Sequence, residues 1–192
     1  MLIWGGWYFF NGGSALSANF QAANALLNTH IAACTVSAPA STLHLLFTLW
    51  QGGLVWVTLS YFRDNQFHLL DILNGALAGL AGITPCSGYV SSQSACFIGS
   101  FVGVVSYHAV PFFKNTLKID DVLDVTSLQA VPGIMGSLMV GLFATSSAQP
   151  SPCVGCDGIF YSSSGWRLLF VQVRSSFHAL IWATAVCVCV LK

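Results

Sequence analysis

From Met1 to Phe62 the chain contains no Asp, Glu, Lys or Arg, and three further uncharged runs follow: Ile72 to Phe113, Val125 to Cys156, and Ser175 to Leu191. An ionised side chain at mid-bilayer costs several kcal/mol, and a helix needs about 20 apolar residues to cross the hydrocarbon core. Runs of this length without charge therefore read as membrane spans, and the scattered charges mark where the chain surfaces. Only 6% of the 192 residues are charged and 55% are hydrophobic, against about 25% charged residues in soluble domains. The apolar stretches are long and glycine-rich, whereas barrel strands alternate in segments of about 10 residues. The fold class expected is an all-α polytopic membrane protein.

Composition also removes functions. Glutamate is absent and six acids balance six bases, so there is no electrostatic case for nucleic acid or acidic partners. No nucleophile elbow, HExxH, Walker loop or dinucleotide fingerprint occurs, so no enzyme is expected. Neither a cofactor nor a metal is expected. The amino terminus MLIWGGWYFFNGG has no basic residue before its apolar part, unlike a signal peptide, and starts as though already inside a span.

Six membrane segments are expected over residues 1–18, 20–49, 69–89, 94–113, 125–145 and 168–191. The links between them hold Arg63 and Asp64, then Lys114, Lys118, Asp120 and Asp121, then a Ser/Pro/Cys/Gly loop from Ser146 to Gly165. Alternation of the last four segments puts Arg63, Lys114, Lys118 and Lys192 on one side and Arg167 on the other. The positive-inside rule makes the first side cytoplasmic, with the C-terminus there. The loop holding Cys153 and Cys156 then faces outward, where a disulfide between them is allowed. Zinc at this lone CxxC lacks two further ligands. Small residues recur at Gly75, Gly79 and Gly82, at Gly99 and Gly103, and at Gly133, Gly136 and Gly141. They permit close helix contact and describe a bundle.

Trp7, Phe10 and Ser14 fall at i, i+3 and i+7, one stripe of a helix. Two aromatic faces and a hydroxyl suit a small cation, each face attracting an ammonium by roughly 0.5 to 2 kcal/mol. An interfacial aromatic belt has the same composition. His30 sits in an NTH motif that suggests an interhelical hydrogen bond.

Four ordered motifs, WGGWYFFNGGSAL, NTHIAA, DILNGALAGLAGITPCSGYV and KIDDVLDVTSLQAVPGIMGSLMVGLFA, resemble in sequence and spacing the second half of the ammonium transporter (Amt/Mep/Rh) family. The resemblance covers nearly the whole chain and corresponds to the family's sixth to eleventh helices, the sixth clipped. It implies a homotrimer of eleven-helix protomers, each with a narrow pore between two inverted repeats, of which this chain holds the second and the final helix. It implies ammonium or ammonia as substrate and residence in a lipid bilayer, with the plasma membrane expected. By the resemblance Phe10 matches an aromatic gate, Ser14 an outer recruitment hydroxyl, Trp7 a pore-lining tryptophan, and Asp124 a structural aspartate at a helix start.

Gln129 departs from the family pattern, which usually has a histidine there. An amide donates and accepts hydrogen bonds but does not titrate near neutral pH, so hydrogen bonding rather than proton relay is expected. Two rival readings follow: a sensor that binds ammonium with little flux, and an inactive truncated product. Residues 36–51 are surplus to the family pattern, as an inserted re-entrant or interfacial segment or as translated intron sequence.

Overall fold

The structure is a computed structural model that describes residues 2–33, 52–66, 68–148 and 156–190. Seven α-helices are described: α1 (Leu2–Gly13), α2 (Phe20–Ala33), α3 (Gly52–Asp64), α4 (Leu69–Ile83), α5 (Ser92–Pro111), α6 (Val131–Phe143) and α7 (Gly165–Val190). Among the described residues there is no strand. One π-helical turn, Phe112–Thr116, prolongs α5, and another, Thr126–Ala130, leads into α6.

Local chemistry sets these limits. Asn19 accepts from the Ala22 N–H at 2.9 Å and caps α2. Ser91 accepts from the Ser94 N–H at 3.3 Å and caps α5, as short polar side chains do at helix starts. Pro132 lies in the first turn of α6, directly after the π-helical turn Thr126–Ala130. Asp121 accepts from the Val125 and Thr126 N–H groups at 3.0 and 2.7 Å, closing the turn that opens the last packed helix. These hydrogen bonds hold the Asp121 carboxyl below the usual carboxylate range, the one from Thr126 first.

Helix limits differ from the sequence expectation in three places. α1 stops at Gly13, after which Ser14 and Leu16 bond back through turns and Leu16 takes φ 57°. The third expected segment, over 69–89, is helical only to Ile83; turns then carry the chain to Val90, because Thr84-Pro85 and Gly88 interrupt the helical pattern. α3 occupies residues where no segment was expected, since an uncharged run offers no charge to mark a boundary. The surplus residues 36–51 and the later part of the expected 20–49 segment lie outside the described residues.

The core is where α2, α4, α5 and α6 meet. Ala32, Ile83, Cys86, Val90, Ile98 and Val102 form its buried centre. Backbones approach closely there. A Cβ on Gly136 would collide with the Gly82 carbonyl oxygen, one on Gly79 with the Ala32 carbonyl oxygen, and one on Gly82 would lie 2.7 Å from Val102 Cγ1. Of the glycines read from the sequence, Gly79, Gly82, Gly99, Gly136 and Gly141 sit at close approaches between segments, whereas Gly133 faces open space, as small residues serve where lipid gives no hydrophobic drive. A second cluster packs Trp56 of α3 against Ala78, Tyr107 and Leu128.

Three helical stretches are long and apolar enough to cross a membrane: Ser92–Thr116, Thr126–Phe143 and Gly165–Val190. The last, α7, packs on α6 through Leu169 against Gly141. Past Gly165 it has no buried residue.

Candidate functional site

The aromatic stripe of α1 is held from the end of α4. Trp7 donates its indole N–H to Thr84 Oγ1 at 2.7 Å, and Thr84 in turn donates to the Leu80 carbonyl at 2.7 Å. With its N–H engaged, the half-buried indole is fixed in one rotamer. Phe10 lies one turn along, with ring centroids 6.1 Å apart and planes tilted by 51°. Phe10 is 62% exposed in this chain. The structure therefore brings Trp7 and Phe10 together as one aromatic wall.

Ser14 directly follows the last residue of α1, its N–H bonded to the Phe10 carbonyl at 3.2 Å. Its hydroxyl donates to the Phe10 carbonyl at 2.8 Å, leaving the oxygen lone pairs free to accept. A hydroxyl in this state can receive a proton from an ammonium ion without giving up its own bond.

Gln129 is half-buried on the π-helical turn Thr126–Ala130. Such turns are rare and concentrate at functional sites. Its neighbour Leu128 belongs to the Trp56, Ala78 and Tyr107 cluster, whereas Trp7 is tied to Thr84. Ala78 and Thr84 both follow the line of α4, about 9 Å apart at helical rise. Among the described residues no hydrogen bond joins Gln129 to Trp7.

Asp124 precedes that turn with φ 55° and pairs with Lys114 at 2.9 Å. Its carbonyl also accepts from the Leu128 N–H at 2.8 Å. It braces the link between α5 and α6 and lies away from the aromatic wall. Cys156 is disulfide-bonded; Cys153 lies outside the described residues. No group of three or more His, Cys, Asp or Glu gathers for a metal among the described residues.

Sequence reasoning missed the second layer. Thr84 lies in the third of the four motifs, and nothing in its ITPCSGY stretch announces a partner 77 positions away. Asn11 was likewise not singled out, and Asn28 only as a member of the NTH motif. Asn11, buried on α1, donates to Thr29 Oγ1 at 2.8 Å. Asn28, fully buried on α2, donates to the Ser87 and Val90 carbonyls, both at 2.8 Å. A polar residue in an uncharged helix was the available signal, because it must find a partner there. His30 does make the interhelical bond read from NTH: its Nδ1 pairs with the Tyr8 hydroxyl, which also accepts from Trp4 Nε1 at 2.9 Å.

Comparison with known proteins decides the family. A model described as "Ammonium Transporter Family" matches residues 1–192. The chain belongs to the ammonium transporter family. Ammonium transporter 1 of Dictyostelium discoideum is 37% identical over 184 residues, covering 96% of this chain and 35% of that protein. Ammonium transporter MEP2 of Saccharomyces cerevisiae is 37% identical over 193 residues, covering 97% of this chain and 34% of that protein. The crystal structure of Saccharomyces cerevisiae Mep2 superposes with a TM-score of 0.80 at 33% identity, over 95% of this chain and 37% of that one. A structure titled "Sensor Amt Protein" gives 0.69 at 27% identity, over 98% and 42%. The chain spans about a third of the length of the curated relatives it first matches. It is an integral membrane protein of a transporter family rather than an enzyme family, and its similarity to the Mep2 structures extends through the helical bundle described above.

Proposed function

We propose that this chain forms part of the wall of a path carrying ammonium or ammonia across a membrane, with Ser14, Phe10, Trp7 and Gln129 as successive stations. The observation that carries the reading is the Trp7 and Phe10 pair fixed by Thr84. An aromatic wall favours a small cation by roughly 0.5 to 2 kcal/mol per face, and fixing the rings beforehand removes the cost of ordering them at binding. Ser14 accepts a hydrogen bond from the arriving ion. Gln129 then serves the substrate by hydrogen bonds alone, because its amide neither takes nor gives a proton near neutral pH.

The complete assembly is read as a homotrimer in the plasma membrane with a cytoplasmic C-terminus, and the Cys153 and Cys156 pair as an outward-facing disulfide. The whole path requires protein surface beyond these residues, consistent with the share of its relatives that the chain covers. The test is saturable methylammonium uptake by the full-length protein in cells lacking their own ammonium uptake. Trp7→Leu and Phe10→Ala are expected to lower uptake or change its saturation while leaving the purified protein monodisperse. Uptake indifferent to both substitutions overturns the path. A second reading, ammonium sensing with little flux, is favoured by Gln129 and by the likeness to the structure titled as a sensor. Saturable ammonium binding without methylammonium uptake selects it.

A further inference from the structure

We infer that Arg167 and Arg174 form a binding site for the phosphate of an anionic phospholipid on the outward face of α7, in the leaflet at its Gly165 end. α7 is long and apolar enough to cross a membrane, and it meets the bundle along one stripe. Past Gly165 its half-buried residues are Leu168, Leu169, Gln172 and Ser176, and Leu169 closes on Gly141 of α6. These four recur at helical spacing and define the α6-facing side. At about 100° per residue, Arg167 and Arg174 fall together on the opposite side.

Both arginines are exposed. The ion pairs among the described residues are Arg63 with Asp64 and Lys114 with Asp124, so no described acid answers either of them. His178 lies one turn beyond Arg174 and spends its Nδ1 on the Arg174 carbonyl at 2.7 Å. The two guanidinium groups are therefore the cations that the outward face presents.

Depth decides what meets them. α7 has 26 residues, about 39 Å of helix against a hydrocarbon core of about 30 Å. Centred on that core, the helix enters hydrocarbon near Leu168, which puts Arg167 at the boundary and the Arg174 backbone about 9 Å inside it. A charge at that depth is costly unless it is paired or carried out. Side chains on a helix lean towards its N-terminus, so the Arg174 stem runs through hydrocarbon back towards Arg167 and lifts its guanidinium to the interface. Exposed Phe170 and Phe177 flank that stem and offer acyl chains an apolar surface.

Two planar forks brought to one level match the oxygens of a phosphodiester, which accept paired N–H bonds. Two positive charges facing one phosphate select a headgroup with no cation of its own, so phosphatidylglycerol is preferred to phosphatidylcholine. The site requires α7 to face lipid and does not depend on what the path carries.

The test uses the full-length protein in phosphatidylcholine vesicles that contain a minor share of phosphatidylglycerol with a photoactivatable diazirine on its headgroup. Cross-linked peptides are mapped by mass spectrometry. Label is expected on the stretch from Arg167 to His178, competed by plain phosphatidylglycerol but not by extra phosphatidylcholine or by inorganic phosphate. Arg167→Gln with Arg174→Gln is expected to lower that label by about tenfold, the worth of a charged hydrogen bond, and Lys118→Gln in the link between α5 and α6 to leave it unchanged. Should the glutamine pair aggregate, Arg167→Lys with Arg174→Lys keeps the charge, loses the planar fork, and is expected to lower the label by a smaller factor. No label on α7, label that survives both arginine pairs, or equal competition by phosphatidylcholine or inorganic phosphate overturns the site.

Discussion

Helices α5 and α7 have nearly the same hydropathy, yet α5 is buried over much of its length and α7 past Gly165 is buried nowhere. The two helices differ in glycine. α5 presents Gly99, Gly103, Ser100 and Ser106 to its neighbours, and Gly99 admits the Ala32 carbonyl oxygen to 2.9 Å of where a Cβ would stand. α7 has one glycine, at its start, and then carries Phe170, Phe177 and Trp182 outward. In lipid, greasiness places a helix in the bilayer, and small residues decide which helices touch.

The sharpest way to break this comparison is to fill a contact. Gly136→Val drives a side chain into the Gly82 carbonyl and is expected to cost about 3 kcal/mol, seen as a lower melting temperature in detergent. Gly133→Ala, one turn away with open space around it, is expected to be neutral. If both substitutions behave alike, glycine spacing is not what organises the bundle. Next in size, Asn28→Ala removes the partner of the Ser87 carbonyl and one of the two donors to the Val90 carbonyl, which keeps Asn24, and is expected to cost about 2 kcal/mol, measured by the same melt.

Thr84→Val removes the acceptor of the Trp7 indole. In the full-length protein it is expected to reduce methylammonium uptake by about fivefold, the worth of one hydrogen bond of about 1 kcal/mol. Thr84→Ser keeps the hydroxyl and should restore uptake, which a merely structural loss of the methyl group would not permit. Asp121 offers a pH test outside the bilayer. Its folded-state pKa is depressed, so the stability it contributes is present above the unfolded value of about 3.9 and is lost as pH falls through the folded one. The melting temperature is expected to depend less steeply on pH in that acid range for Asp121→Ala than for the parent. Smallest of all, Phe177→Ala on α7 is expected to change stability by less than about 0.5 kcal/mol, because the residue meets no core.

Much of this was legible in the sequence because charge is so scarce in it. The gap from Ile72 to Phe113 announced α4 and α5, and the motif around Gly133 and Gly136 announced a close crossing. The same scarcity hid α3: GGLVWVTLSYFRD is short, its start lies in an uncharged run, and only Arg63 and Asp64 mark its end. The Trp7 and Phe10 stripe was readable from helical periodicity, since it lies within one element. Ser14, read on that stripe, follows the last helical residue and still bonds back to the Phe10 carbonyl through its N–H and its hydroxyl. Thr84 was out of reach for a different reason. Its role depends on a fold-level meeting of α1 with the end of α4, and no local pattern records which hydroxyl a distant indole will find.

Asn24 and Asn28 hold the Val90 carbonyl, and Asn28 the Ser87 carbonyl, in the bend that follows α4. That bend begins at Thr84, the residue gripping Trp7. Any sliding of α2 therefore tugs on the same corner that steadies the indole, so a disturbance at the lipid-facing rim is transmitted to the aromatic wall as a shift of a single ring.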